Sequence, residues 1–192
     1  MSTNTFSPAV IHKAKDVLLG EGLVYKDYGE SGQALIGATR GGSKLEIERA
    51  IKEMEYDGSM GPTKGMRRTE RFVAKLMINF LKITYVNLAY GLNVTISDGS
   101  DVDGTYKKIA FDTDFDTNDV LDNVTFKGYK ADGTYCIIKV TKALNIDSIG
   151  LEFKEKDEVV SEMTYTGFYT YLAPTTAPLV IQEEEAEEED SG

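Results

Sequence analysis

The sequence predicts a mainly β (α+β) domain, a β-sandwich or barrel-like fold of about nine strands with one short helix, a long bent hairpin and extended terminal arms. Short apolar runs dominate the chain, and they either alternate with polar residues or are rich in Val, Ile, Thr and Tyr, as half-buried strands require. Clusters of Gly, Asp and Asn separate these runs at strand-length intervals. Only one stretch, 81–90, spaces its apolar residues as a helix does.

Residues 1–14 have no periodicity and are expected to form an N-terminal arm, followed by a domain over 15–172. The apolar, glycine-containing run 17–25 suits a first strand, a glycine turn follows at 29–32, and a short strand is expected at 34–38. The segment 43–56 then shows a change of phase. Leu45 and Ile47 are apolar at odd positions, Met54 and Tyr56 at even ones, which requires a β-bulge or sharp bend near 49–51. Lys44, Glu46 and Glu48 share the polar face of its first half.

Residues 57–65 carry the glycine and proline of a long loop, and a second strand returns over 67–78 to complete the hairpin. On that strand Phe72, Ala74, Leu76 and Ile78 form a wholly apolar face. Residues 81–90 are expected to be the helix, capped by Asn79 and Gly91. Strands are expected again at 93–97, 106–111, 124–129 and 134–141, the last two joined by a turn at 131–133. Ile149, Leu151 and Phe153 alternate with charges, Lys156-Asp157-Glu158 turns the chain, and 159–172 closes the domain with Met163, Tyr165, Tyr169 and Tyr171 on one face. A C-terminal arm is expected over 173–182, and an acidic tail over 183–192 that is too charged to fold alone.

Composition narrows the function. The net charge is −11, of which the seven acids between Glu183 and Asp190 supply −7, so the remainder carries −4. Proteins that grip nucleic acid present a basic surface, so tight nucleic-acid binding is not expected, although passage of DNA along the surface remains compatible. No apolar run approaches the roughly 18 residues that span a bilayer, and residues 1–8 lack the pattern of a signal peptide, so cytoplasmic synthesis is expected. Cys136, the one cysteine, is expected to pack as a small hydrophobe between Tyr135 and Ile137.

Catalytic motifs fail on spacing. The segment from Gly37 to Lys44 holds the ingredients of a phosphate loop with Ser43 and Lys44 in the wrong order, and it leads into a strand rather than a helix. Asp98, Asp101 and Asp103 with Gly104, and Asp112, Asp114, Asp116 with Asn118, approach a calcium loop but lack its closing glutamate. His12 is the single histidine and has no partners in sequence for acid–base work. No metal, cofactor or catalytic residue is therefore assigned, and an enzyme is not expected. Tyr165, Tyr169 and Tyr171 fit either a sugar-stacking platform or, as favoured here, core edges and subunit contacts.

The remaining features resemble the major tail proteins, or tail tube proteins, of long-tailed bacteriophages. The stretches concerned are Ile36-Gly37-Ala38-Thr39-Arg40-Gly41-Gly42, Tyr56-Asp57-Gly58 with Gly61-Pro62-Thr63-Lys64-Gly65, Ala143-Leu144-Asn145, Lys156-Asp157-Glu158 and Tyr165-Thr166-Gly167-Phe168-Tyr169. The resemblance implies a virion subunit that closes into hexameric rings, which stack into a tube conducting DNA without binding it specifically. It implies other tail proteins as partners (tape measure, terminator, baseplate), no membrane, and assembly in the host cytoplasm. Carried onto this chain, it implies that Glu46, Glu48 and Lys75 face the lumen. Gly58, Met60, Lys64, Arg67 and Arg68 would contact the adjacent ring, and Phe6, Leu179, Val180 and Ile181 would make arm contacts. A lumen lined by carboxylates would repel phosphates. The alternatives are a terminator or baseplate ring of the same fold, and a β-sandwich module binding carbohydrate or a host surface.

Overall fold

The computed structural model describes residues 18–184 except 38, 59, 62, 81–83, 91, 93, 115, 148 and 152–160. The expected N-terminal arm with Phe6, the turn at 156–158 and most of the acidic tail lie outside the described residues. Among the described residues the strands are β1 (Leu18–Lys26), β2 (Ala34–Gly37), β3 (Thr39–Glu53), β4 (Arg67–Phe80), β5 (Val94–Asp101), β6 (Gly104–Phe111), β7 (Leu121–Lys130), β8 (Tyr135–Asn145), β9 (Gly150–Leu151), β10 (Ser161–Gly167) and β11 (Leu179–Glu183), with one short α-helix, α1 (Tyr85–Ala89). The protein is mainly β, and the paired strands are antiparallel.

Nine strands form one sheet in the order β2-β1-β7-β8-β10-β4-β3, with β11 added to β8 and β9 to β10, while β5 and β6 make a separate hairpin. The sheet curls on itself until β1 lies against β3. Its inner face holds Val24, Ile36, Leu76, Ile78, Phe80, Val124, Phe126, Val140, Ala143, Met163 and Tyr165, drawn from both halves. β8 makes the curl. One edge pairs with β7 along most of its length, whereas the other pairs with β11 over 136–140 and with β10 over 143–145. Between these partners Lys142 takes a φ of +49°, a left-handed kink that turns the strand from one half of the sheet into the other.

Tyr165 stands at the centre of this core with no exposed surface. Its hydroxyl donates to the Tyr90 carbonyl at 3.0 Å, and Asn87 Nδ2 donates to the Ile36 carbonyl at 2.6 Å. The α1 segment is thereby tied to β10 and to β2, which lie in opposite halves of the sheet. Gly167 ends β10 because a Cβ there would stand 2.9 Å from the Pro178 carbonyl oxygen and from Val140 Cγ1. Only a glycine lets the chain leading into β11 cross so closely.

Several expectations change. The helix does not start at Asn79, which continues β4 opposite Glu162; Thr84 caps it instead, its Oγ1 accepting from the Asn87 N–H at 3.2 Å. β-Branched residues favour strand or cap positions over a helix interior, which explains the short element. Gly41 and Gly42 lie within β3. β3 already begins at Thr39, and a register shift between Thr39 and Ser43 absorbs them, with Gly42 at φ +87°. Asp98 and Asp101 lie on β5 rather than in a loop, Asp98 paired with Lys107 and Asp101 Oδ1 accepting from the Asp103 N–H in the turn to β6. Lastly, β10 stops at Gly167, so Tyr169 and Tyr171 do not share a strand face with Tyr165. With Tyr165 buried and Tyr171 97% exposed, the three tyrosines form no stacking platform.

Candidate functional site: a bent hairpin with two bare edges

β3 and β4 pair from Thr39↔Phe80 to Glu53↔Arg67. At about 3.3 Å per residue, the 15 residues of β3 reach roughly 50 Å. The expected irregularity is present between Ala50 and Ile51, where β3 advances one residue while β4 advances two, from Arg71 to Thr69. The extra residue thus belongs to the facing strand, not to β3. Burial follows the bend. On β4, Ala74, Leu76, Ile78 and Phe80 are buried, whereas 67–71 are exposed without exception. The distal half of the hairpin projects from the body with both faces in solvent.

Its edges are bare as well. Among the described residues β3 pairs only with β4, and β10 covers β4 only over 75–80. In the open stretch of β4, the Tyr169 hydroxyl donates to the Phe72 carbonyl at 3.2 Å. That bond shows which way the backbone points. Phe72 directs its carbonyl away from β3, so Phe72 and Arg49 opposite it form a pair without mutual ladder bonds, as do Ala74 and Ile47 two residues along. The backbone N–H and carbonyl of Ile47 therefore face the open edge of β3.

On the polar face Glu46 lies opposite Lys75 and Glu48 opposite Val73. Glu48 pairs with Lys75 at 3.5 Å and with Arg71 at 3.8 Å, and Glu46 with Lys44 at 3.2 Å. These are exposed pairs, each contributing no more than about 1 kcal/mol. Both carboxylates of this face thus stand within ion-pair distance of a cation. Residues 43–78 hold eight Lys and Arg against six Asp and Glu, a balance of +2, so the other residues carry −11 − 2 = −13.

The tip is closed by the Met54 N–H donating to the Met66 carbonyl at 2.9 Å. Gly58 and Gly65 take φ values of +95° and +90°, and Met60 is fully exposed. A cleft of about 280 Å3 lies here, lined by residues that include Met54, Tyr56, Thr63 and Met66. Lys64 is an exposed loop residue, but Arg67 and Arg68 open β4, and Arg67 Nη2 is held 2.8 Å from Glu53 Oε1. The arm residues Leu179, Val180 and Ile181 run as β11 along β8 instead of extending freely, with Leu179 against the core and Ile181 54% exposed. Glu183, assigned to the tail, ends this strand in an ion pair with Lys130.

The hairpin brings Glu46, Glu48 and Lys75 together on one face and sets the tip residues at its far end, whereas Leu179, Val180 and Ile181 lie along β8. Sequence reasoning missed the bond from Tyr169 and the exposed segment around it. The signal was available, because 163–182 contains no charged residue in a chain that is 28% charged. Cys136 is half-buried, and burial pushes its thiol above the ordinary range, away from the thiolate form a nucleophile needs. Among the described residues no three His, Cys, Asp or Glu side chains are placed to hold a metal ion, and no helix is long and apolar enough to cross a membrane. No family model matches the sequence, and no curated protein matches it either.

Proposed function

We propose that this chain is a tail-tube subunit of a long-tailed bacteriophage or a related particle, a structural protein without catalytic activity. Its copies close into hexameric rings that stack into a conduit for DNA. The observation that carries this reading is that, among the described residues, two edges of one projecting hairpin have no strand partner, facing opposite ways along β3 and along 67–74 of β4. Unpaired edges of this length are templates for further strand addition, and a monomer normally blunts or covers them. Because the two edges are different surfaces, pairing between copies is head-to-tail, and a head-to-tail contact whose rotation closes gives a ring. The hairpins then join into one continuous inner barrel without free edges.

The balanced face bearing Glu46, Glu48 and Lys75 suits a channel wall. Cations already engaged by carboxylates release few counterions on meeting phosphates, so passing DNA is not retained. The tip loop reaches beyond the body to the next ring, and the tape measure, terminator and baseplate proteins complete the partners of a virion tail assembled in the host cytoplasm.

Negative-stain microscopy of concentrated protein tests the reading: hollow tubes are expected, isolated rings indicate a terminator or baseplate component, and dispersed monomers contradict it. The described residues of 58–66 lie outside the core, and all but Thr63 are exposed; deletion of this segment tests the loop. The shortened chain is expected to keep its thermal midpoint within a few degrees and to form rings that do not stack; normal tubes would refute the role of the loop.

A further inference from the structure

We infer that Tyr171 and Leu172 form an anchor that docks on β3 of a second copy of this chain, over Ile47 and Ile51. The inference rests on the ring reading and adds to it the side-chain contact that holds the seam. Tyr171 is 97% and Leu172 94% exposed. Two adjacent large apolar residues this bare are not left so by chance packing. They occupy the two central positions of a closed turn, in which the Ala173 N–H donates to the Thr170 carbonyl at 3.0 Å and the flanking residues form a β-bridge. The turn holds both side chains outward, so little ordering remains to be lost on docking.

The surroundings have the composition of an interface core. Phe168, Tyr169, Tyr171 and Leu172 are all exposed, and the run 163–182 contains no Asp, Glu, Lys or Arg. Charge depletion with aromatic enrichment distinguishes such cores from ordinary surface, and Tyr supplies much of their binding energy. Position selects the occupant. Tyr169 ties this segment to Phe72, just past the point where β10 ceases to cover β4. An incoming strand on the open edge of β4 lies beside the turn. In a head-to-tail ring that strand is the neighbour's β3, whose Ile47 and Ile51 are 46% and 48% exposed. The anchor and its seat lie on opposite sides of one hairpin, so they meet only between copies.

The test uses the full chain with Tyr171 replaced by photoreactive benzoylphenylalanine, made from equal amounts of ordinary and 15N-labelled protein. After irradiation of assembled material, cross-links between differently labelled copies are expected at β3, within a few residues of Ile47 or Ile51. Cross-links elsewhere, or none, overturn the inference. In parallel, Tyr171→Asp with Leu172→Asp is expected to raise the concentration for half-assembly by about tenfold or more, with unchanged circular dichroism of the dilute protein; assembly at the original concentration overturns it. Should unaltered protein stay monomeric, the ring reading fails and this inference with it. If unaltered protein forms rings and the cross-links miss β3, only this inference fails.

Discussion

Tyr165→Ala is expected to lower the unfolding free energy by about 3–5 kcal/mol, the range for emptying a large aromatic site in a core. The side chain is fully buried among residues of both sheet halves, and its hydroxyl satisfies the Tyr90 carbonyl. Removing it leaves a cavity and an orphaned acceptor. Tyr165→Phe separates the two effects, retaining the volume and losing the bond for about 1 kcal/mol. The pair also differs in its response to alkali. Burial raises the phenol well above the ordinary tyrosine value of about 10, so above that value the unfolded chain releases a proton that the folded chain keeps. The unfolded state then binds fewer protons, and stability falls as pH rises past about 10. Urea titrations at rising pH are expected to show this loss in the parent protein and a smaller one in Tyr165→Phe; identical slopes would contradict the assignment.

Ile47→Pro is expected to abolish ring formation while leaving the monomer folded. The Ile47 N–H faces the open edge of β3, as the direction of the Phe72 carbonyl implies, so proline removes no ladder bond within the chain and is tolerated as on other edge strands. It removes a donor that a neighbouring strand needs, and its ring blocks close approach. Glu46→Pro is the contrast. The N–H of Glu46 points toward β4, so this variant is expected to lose about 1–3 kcal/mol of monomer stability. Analytical ultracentrifugation with thermal melts distinguishes the two, and rings formed by Ile47→Pro would mean that β3 is not at the seam.

The strand framework was legible in the sequence because alternation and turn chemistry act locally. The irregularity lies at Ala50 and Ile51, within the segment where the apolar phase of the sequence changes, but its extra residue is on β4 and leaves the alternation of β3 intact. The even phase of Met54 and Tyr56 belongs to the chain beyond Glu53, where β3 has ended, a boundary that one strand's pattern does not state. Helical spacing at 81–90 overstated α1 because Asn79 and Phe80 obtain more from pairing with β10 than from a helix end. The edge position of 179–183 depended on Gly167 admitting the close crossing beside Pro178, a contact between distant residues that no periodicity encodes. At the candidate site the grouping of Glu46, Glu48 and Lys75 followed from alternation alone. Their neutralisation by Lys44 and Arg71 depended on register, which the sequence does not state.

Hydrogen exchange of the hairpin amides tests the shared-edge claim most directly. At low concentration, amides pointing outward from β3 and from 67–73 are expected to exchange rapidly, Ile47 among them, because no described strand pairs with them. In concentrated, assembled protein the same amides are expected to slow by orders of magnitude while the core of β7 and β8 stays unchanged. Equal exchange at the hairpin edges in both states, with assembly verified in the same sample, would contradict the claim that neighbouring copies complete this sheet.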